Sequence, residues 1–162
     1  MATEAKEKVQ ALIEAAFANV VLGQGVSLHE TVVIDNYGSE TQRKEARQRD
    51  EKQDWKKLLQ DDRIKRVDGL GGLSFYDAEG LRFHLPAYLM IALEPTFADV
   101  TASLMFTLTS NSDFNQDRFS ILNSEQRQAV RALLEYIQKH GGPEFDFDQP
   151  RIAQALTEYW TA

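Results

Sequence analysis

Apolar residues recur at helical spacing in three stretches of the chain. Val9, Leu12, Ile13, Ala16, Phe17, Val20 and Val21 follow Thr3, which suits an N-cap, and Gly23 supplies a stop. Near the other end, Asn123 and Gln126 form a capping box ahead of the stripe Val130, Leu133, Leu134 and Ile137, and Gly141-Gly142-Pro143 closes that helix. A last helix is predicted from about Pro150, with Ile152, Ala155, Leu156, Tyr159 and Trp160 inward. Ser27 and Glu30 make another capping box, which turns the β-branched run Thr31-Val32-Val33-Ile34 towards helix against its strand propensity. Tyr37-Gly38 closes it. Ser39 and Gln42 then open a charged stretch in which only Ala46 and Trp55 are apolar between Glu40 and Lys57. It reads as a solvated helix laced with i,i+4 ion pairs, tied to the core by Trp55, Leu58 and Leu59.

In the middle of the chain the period changes to two. Leu73 and Phe75 alternate with Ser74 and Tyr76. After Asp77-Ala78-Glu79-Gly80, Leu81, Phe83 and Leu85 alternate with Arg82 and His84. This predicts an antiparallel hairpin over 72–85, entered through Gly69-x-Gly71-Gly72 and closed by a left-handed Gly80. Pro86 suits the first turn of a short apolar helix from Ala87 to Leu93, and Pro95 ends it. The segment 100–109 alternates small or polar residues with apolar ones and predicts a third strand. The alternative is a short helix capped by Asp99, with Leu104, Met105 and Leu108 inward. The expected fold is α+β: one helix-rich domain over 1–162 with a small antiparallel sheet.

Composition narrows the function classes. The 18 Lys and Arg against 25 Asp and Glu give a net charge of −7, which lacks the cationic footprint that nucleic acid or an anionic membrane requires. It suits a basic protein partner. No cysteine is present, so disulfide scaffolds, thiolate zinc sites and cysteine nucleophiles are excluded together. No stretch approaches the ~20 apolar residues of a membrane span, and the N-terminal region is charged, so a cytoplasmic protein is expected.

Chemistry-bearing motifs are sparse. None of the three histidines, His29, His84 and His140, is spaced with another for a shared metal, and neither metal nor cofactor is expected. Asp113-x-Asn115-x-Asp117 begins like a calcium loop but has Arg118 at the turn-glycine position and Ser124 at the bidentate position. Asp50 and Asp54 share a helix face at i,i+4, among Arg47, Arg49, Lys52 and Lys57, and read as surface ion pairs or a docking face. Two clusters remain. Tyr76, Arg82 and His84, with Ser74, lie on the polar hairpin face and are the candidate groups of a small enzyme. Glu144, Phe145, Asp146, Phe147 and Asp148 alternate acid and ring in a stretch expected to be extended, and suit a basic partner surface.

Three local patterns resemble a family of small bacterial domains of unknown function: Asp54-Trp55, Phe83-x-Leu85-Pro86-Ala87-Tyr88, and Phe119-x-x-Leu122 followed by Gln126. Together they reach from about residue 28 to residue 139. The resemblance assigns no reaction and no catalytic residue. In size and charge the chain is similar to bacterial immunity proteins, which implies a non-enzymatic module that neutralises a basic protein. A structural subunit of a homo-oligomer is the third expectation.

Overall fold

The computed structural model describes residues 2–66 and 72–161, and every regular element among them is helical. Eight α-helices follow in order: α1 (Ala2–Ala16), α2 (Leu28–Asp35), α3 (Glu40–Arg49), α4 (Ala78–Ala92), α5 (Ala98–Thr109), α6 (Asp113–Phe119), α7 (Ser124–His140) and α8 (Gln149–Glu158). Short 3-10 turns link them at Trp55–Gln60, Asp62–Lys65, Gly72–Phe75, Pro95–Phe97 and Pro143–Phe145. The fold is all-α, and the expected α+β class is corrected. No strand occurs among the described residues.

The central element is α4. It packs against α1, α5, α6, α7 and the Trp55–Gln60 turn, while α1 lies along α7, α2 pairs with α3, and α8 crosses α5 and α7. Leu81, Phe83, Leu85, Ala87, Leu89 and Ile91 are all buried on this one helix, and so is His84. A helix covered on nearly every side shows no polar face, so its helical period disappears from the sequence. Over Leu81 to Leu85 the remaining alternation imitates a strand. The decisive local signal is Asp77, whose carboxylate accepts the Gly80 N–H at 2.9 Å and so caps α4. The same oxygen accepts the Val26 N–H at 2.9 Å. Gly80 is therefore not a left-handed turn residue. It lets the first turn of α4 approach the chain at Val26, where a Cβ would come within 2.5 Å of a carbonyl oxygen. Pro86 sits inside α4 rather than in its first turn, which removes the ladder bond to the Arg82 carbonyl. Part of the glycine-rich entry, Gly69 to Gly71, lies outside the described residues.

The third strand over 100–109 is also corrected: the segment is α5, with Val100, Leu104, Met105 and Leu108 buried. This is the alternative reading of the sequence, although the carboxylate of Asp99 lies in the first turn rather than at the cap.

Other expectations hold. All three capping boxes form, at Ser27–Glu30, Ser39–Gln42 and Asn123–Gln126. The run Thr31 to Ile34 is helical, and it closes through Tyr37, which takes φ 56° while the Gly38 N–H bonds back to Val33. The first helix is corrected in length: α1 ends at Ala16, short of the expected run through Val20 and Val21, and Gly23 serves the turn beyond it with φ 59°. Two indoles fasten the core to loops and helix ends: Trp55 Nε1 donates to the Phe17 carbonyl at 2.9 Å, and Trp160 Nε1 to that of Leu108 at 2.8 Å.

Candidate functional site

The three residues proposed for chemistry on one hairpin face do not share a face. A helix advances 100° per residue, so Arg82 and His84 point to nearly opposite sides of α4. His84 is wholly buried. Its ring stacks on Tyr76 with centroids 4.3 Å apart, and Nδ1 bonds the Gly80 carbonyl at 2.6 Å. That contact requires the proton on Nδ1, and Nε2 is left buried without a partner among the described residues. Burial pushes the His84 pKa down to about 4, only partly offset by the Gly80 carbonyl and by Asp50 and Asp77, so the ring is neutral at neutral pH. The Tyr76 hydroxyl meets that of Tyr88 at 3.1 Å. Burial raises the Tyr76 pKa well above its usual value and pushes that of Tyr88 up to about 12. Neutral rings sealed from solvent cannot meet a substrate. The open concavity required of an enzyme at Tyr76, Arg82 and His84 is not formed.

Asp50 and Asp54 are separated as well. Asp50 ends α3 and is buried, and its carboxylate accepts the Ser27 hydroxyl at 2.5 Å, the His29 N–H at 2.7 Å and His29 Nδ1 at 2.6 Å. Ser27, His29 and Asp50 have the residue types of a nucleophile set. Here the hydroxyl donates to the carboxylate and not to the imidazole, so the Ser–His contact of a nucleophile set is not made. The cluster latches the end of α3 onto the start of α2. Asp54 caps the Trp55–Gln60 turn through the Lys56 N–H at 3.0 Å.

The acid–aromatic stretch has a different geometry from the expected extended one. Pro143 starts a 3-10 turn, and the N–H groups of Phe145, Asp146 and Asp148 each bond a carbonyl three residues back. Proline is tolerated at the first helical position, so flanking prolines do not enforce extension. Phe145 turns inward against the core, whereas Phe147 is 82% exposed. Glu144 and Asp146 are exposed beside it, and Asp148 is half-buried.

Behind this turn lies a groove of about 280 Å³. Leu93, Ile137 and Phe145 give it an apolar floor, and Thr101, whose hydroxyl is buried without a partner among the described residues, adds to its wall. Glu94 and Glu144 line it, with His140 and Tyr136 on the α7 side. Lys6 already pairs with Glu94 at 2.6 Å. Gly142 leaves room for the Glu144 carboxylate to fold back, since a Cβ there would stand 2.4 Å from Oε2. The arrangement can hold a cation on an aliphatic stem: carboxylates at the mouth, hydrocarbon beneath.

Sequence reading missed Arg118. Its guanidinium is buried and donates to the carbonyls of Leu73 at 2.7 Å and Tyr76 at 3.0 Å and to Asn115 Oδ1 at 2.6 Å. Burial lowers its pKa to about 10, and Asp77 acts in the opposite direction. It still carries its charge at neutral pH and joins the Gly72–Phe75 turn to α6. Among the described residues no group of three or more histidines and acids could hold a metal ion.

Comparison with known proteins gives a family and no activity. No curated protein and no solved structure matches the chain. The family model of DUF6714, described as a family of unknown function, matches residues 5–162, and the chain belongs to that family.

Proposed function

We propose that this protein is a non-catalytic binding module whose groove at the C-terminal end of α7 receives a lysine or arginine side chain of a basic protein partner. The observation that carries the reading is the groove lined by Glu94 and Glu144 over an apolar floor, with the exposed Phe147 beside it. A long basic side chain would bury its stem against Leu93, Ile137 and Phe145 and leave its charge on the Glu144 carboxylate, Glu94 being already paired with Lys6. Phe147 would supply the aromatic contact that such interfaces concentrate near their centre. Asp146 and Asp148 extend the negative field, and the net charge of −7 adds to attraction at a distance.

Charges at the edge of an interface act mainly on association rate and its salt dependence. The test is the triple variant Glu144→Gln, Asp146→Asn, Asp148→Asn against a partner retrieved from native extract, with association rates measured at low and high salt. The expected result is slower capture at low salt, with the difference fading as salt rises. Equal rates for variant and wild type at low salt would remove this groove from the interface.

A further inference from the structure

Arg82 and Arg118 are both half or more enclosed, and the Nε of each is buried without a partner among the described residues, but only Arg118 has its two terminal nitrogens engaged. Arg118 has three acceptors. Arg82 has no hydrogen bond or ion pair among the described residues, and its Nε is buried without a partner. An uncompensated guanidinium partly withdrawn from water is costly to leave so unless something else completes it.

Arg82 lines a second groove, of about 400 Å³, between the turn after α1, the loop after α6 and the start of α7. Asn19, Val21, Ile121, Asn123 and Glu125 share the lining. Val21 and Ile121 are exposed apolar side chains at 45% and 37%. The Asn123 carbonyl oxygen is taken by the Gln126 N–H at 2.8 Å, which leaves the Asn123 amide N–H₂ as a donor. Glu125 has no partner among the described residues.

We propose that this groove binds a small zwitterion of the amino-acid class. The ligand carboxylate would sit on Arg82 and the Asn123 amide, its ammonium on Glu125, and an aliphatic group against Val21 and Ile121. A single carboxylate fits better than a phosphate for two reasons. Glu125 opposes a dianion, and two N–H groups at the start of α7, those of Asn123 and Gln126, are already taken by its capping box, which reduces the usual phosphate cradle. The site is independent of the proposed docking groove, because the 17 residues of α7 hold the two about 25 Å apart.

Titration calorimetry of the intact protein with L-leucine, isovalerate, isopentylamine and inorganic phosphate tests this directly. Leucine should bind best, isovalerate more weakly, and the amine and phosphate without saturation. Arg82→Met keeps the apolar stem and should weaken leucine by at least about tenfold, the worth of a charge-assisted contact. Glu125→Gln alters an exposed side chain and should leave the melting temperature unchanged while making leucine and isovalerate equivalent, so the proposal stays testable even if Arg82→Met folds poorly. Absence of leucine binding at about 10 mM, well above a Kd of 1 mM, would overturn the proposal. So would leucine binding that survives Arg82→Met, or phosphate binding tighter than leucine.

Discussion

Two stretches of this chain alternate aromatic or apolar residues with polar ones, and they end in opposite environments. Leu81 to Leu85, with Arg82 and His84 between, becomes the buried centre of α4. Glu144 to Asp148 becomes a surface turn with Phe147 in solvent. Alternation alone chose neither outcome. An aspartate cap and cover by six other elements made the first a helix, and a proline in the first position of a turn made the second a 3-10 segment. The first region holds the molecule together; the second is free to meet another molecule.

That contrast can be broken most forcefully at Phe83. The side chain is fully buried, so Phe83→Ala should cost about 3–5 kcal/mol in denaturant unfolding, and Phe147→Ala should stay within about 0.5 kcal/mol. Comparable losses at the two positions would erase the distinction between core and surface turn.

Acid should act on the same central region next. The folded-state His84 pKa lies near 4, below the ordinary value of 6.5. As pH falls below 6.5 the unfolded chain takes up a proton that the folded chain refuses, so stability present above 6.5 is lost as pH drops towards 4. The shift corresponds to about 3 kcal/mol, and His84→Gln should flatten that part of a stability–pH curve. A curve of unchanged slope in the variant would show that His84 is not held neutral.

A smaller effect is expected at Arg118. Replacing it by Met strands the Leu73 and Tyr76 carbonyls and should cost about 1–3 kcal/mol, whereas Arg82→Met, which breaks no bond, should cost less. Equal costs would contradict the difference in their partners. The smallest effect on stability belongs to Gly142→Ala. A methyl group there meets only the movable end of Glu144, so unfolding should change little while the carboxylate is displaced from the groove and partner binding weakens.

Much of the helical frame was legible because its signals are local. Capping boxes at Ser27, Ser39 and Asn123 and the stripe from Val130 to Ile137 need only a few neighbouring residues to be recognised. The two helices misread as strands, α4 and α5, are buried, and their identity depends on what covers them. Asp77 was the overlooked clue: it reads equally as the first residue of a turn or as an N-cap, and only the following apolar run inside a packed core decides. The candidate sites were legible as composition rather than as geometry. Glu144 to Phe147 could be singled out as an acid–aromatic patch, but the groove behind it needs Leu93 and Thr101, which lie far earlier in the chain. Alternation groups Arg82 with Tyr76 and His84, but the helix disperses that cluster and sets Arg82 in one groove with Asn123 and Glu125.

The docking account is tested most directly by amide chemical-shift mapping of the intact protein with a blocked Lys-Leu-Lys peptide at low salt. The account predicts shifts concentrated on Leu93–Thr101 and Tyr136–Phe147 that vanish in the Glu144→Gln, Asp146→Asn, Asp148→Asn variant. Shifts spread evenly over the acidic surface, or a map that the triple variant leaves unchanged, would contradict it.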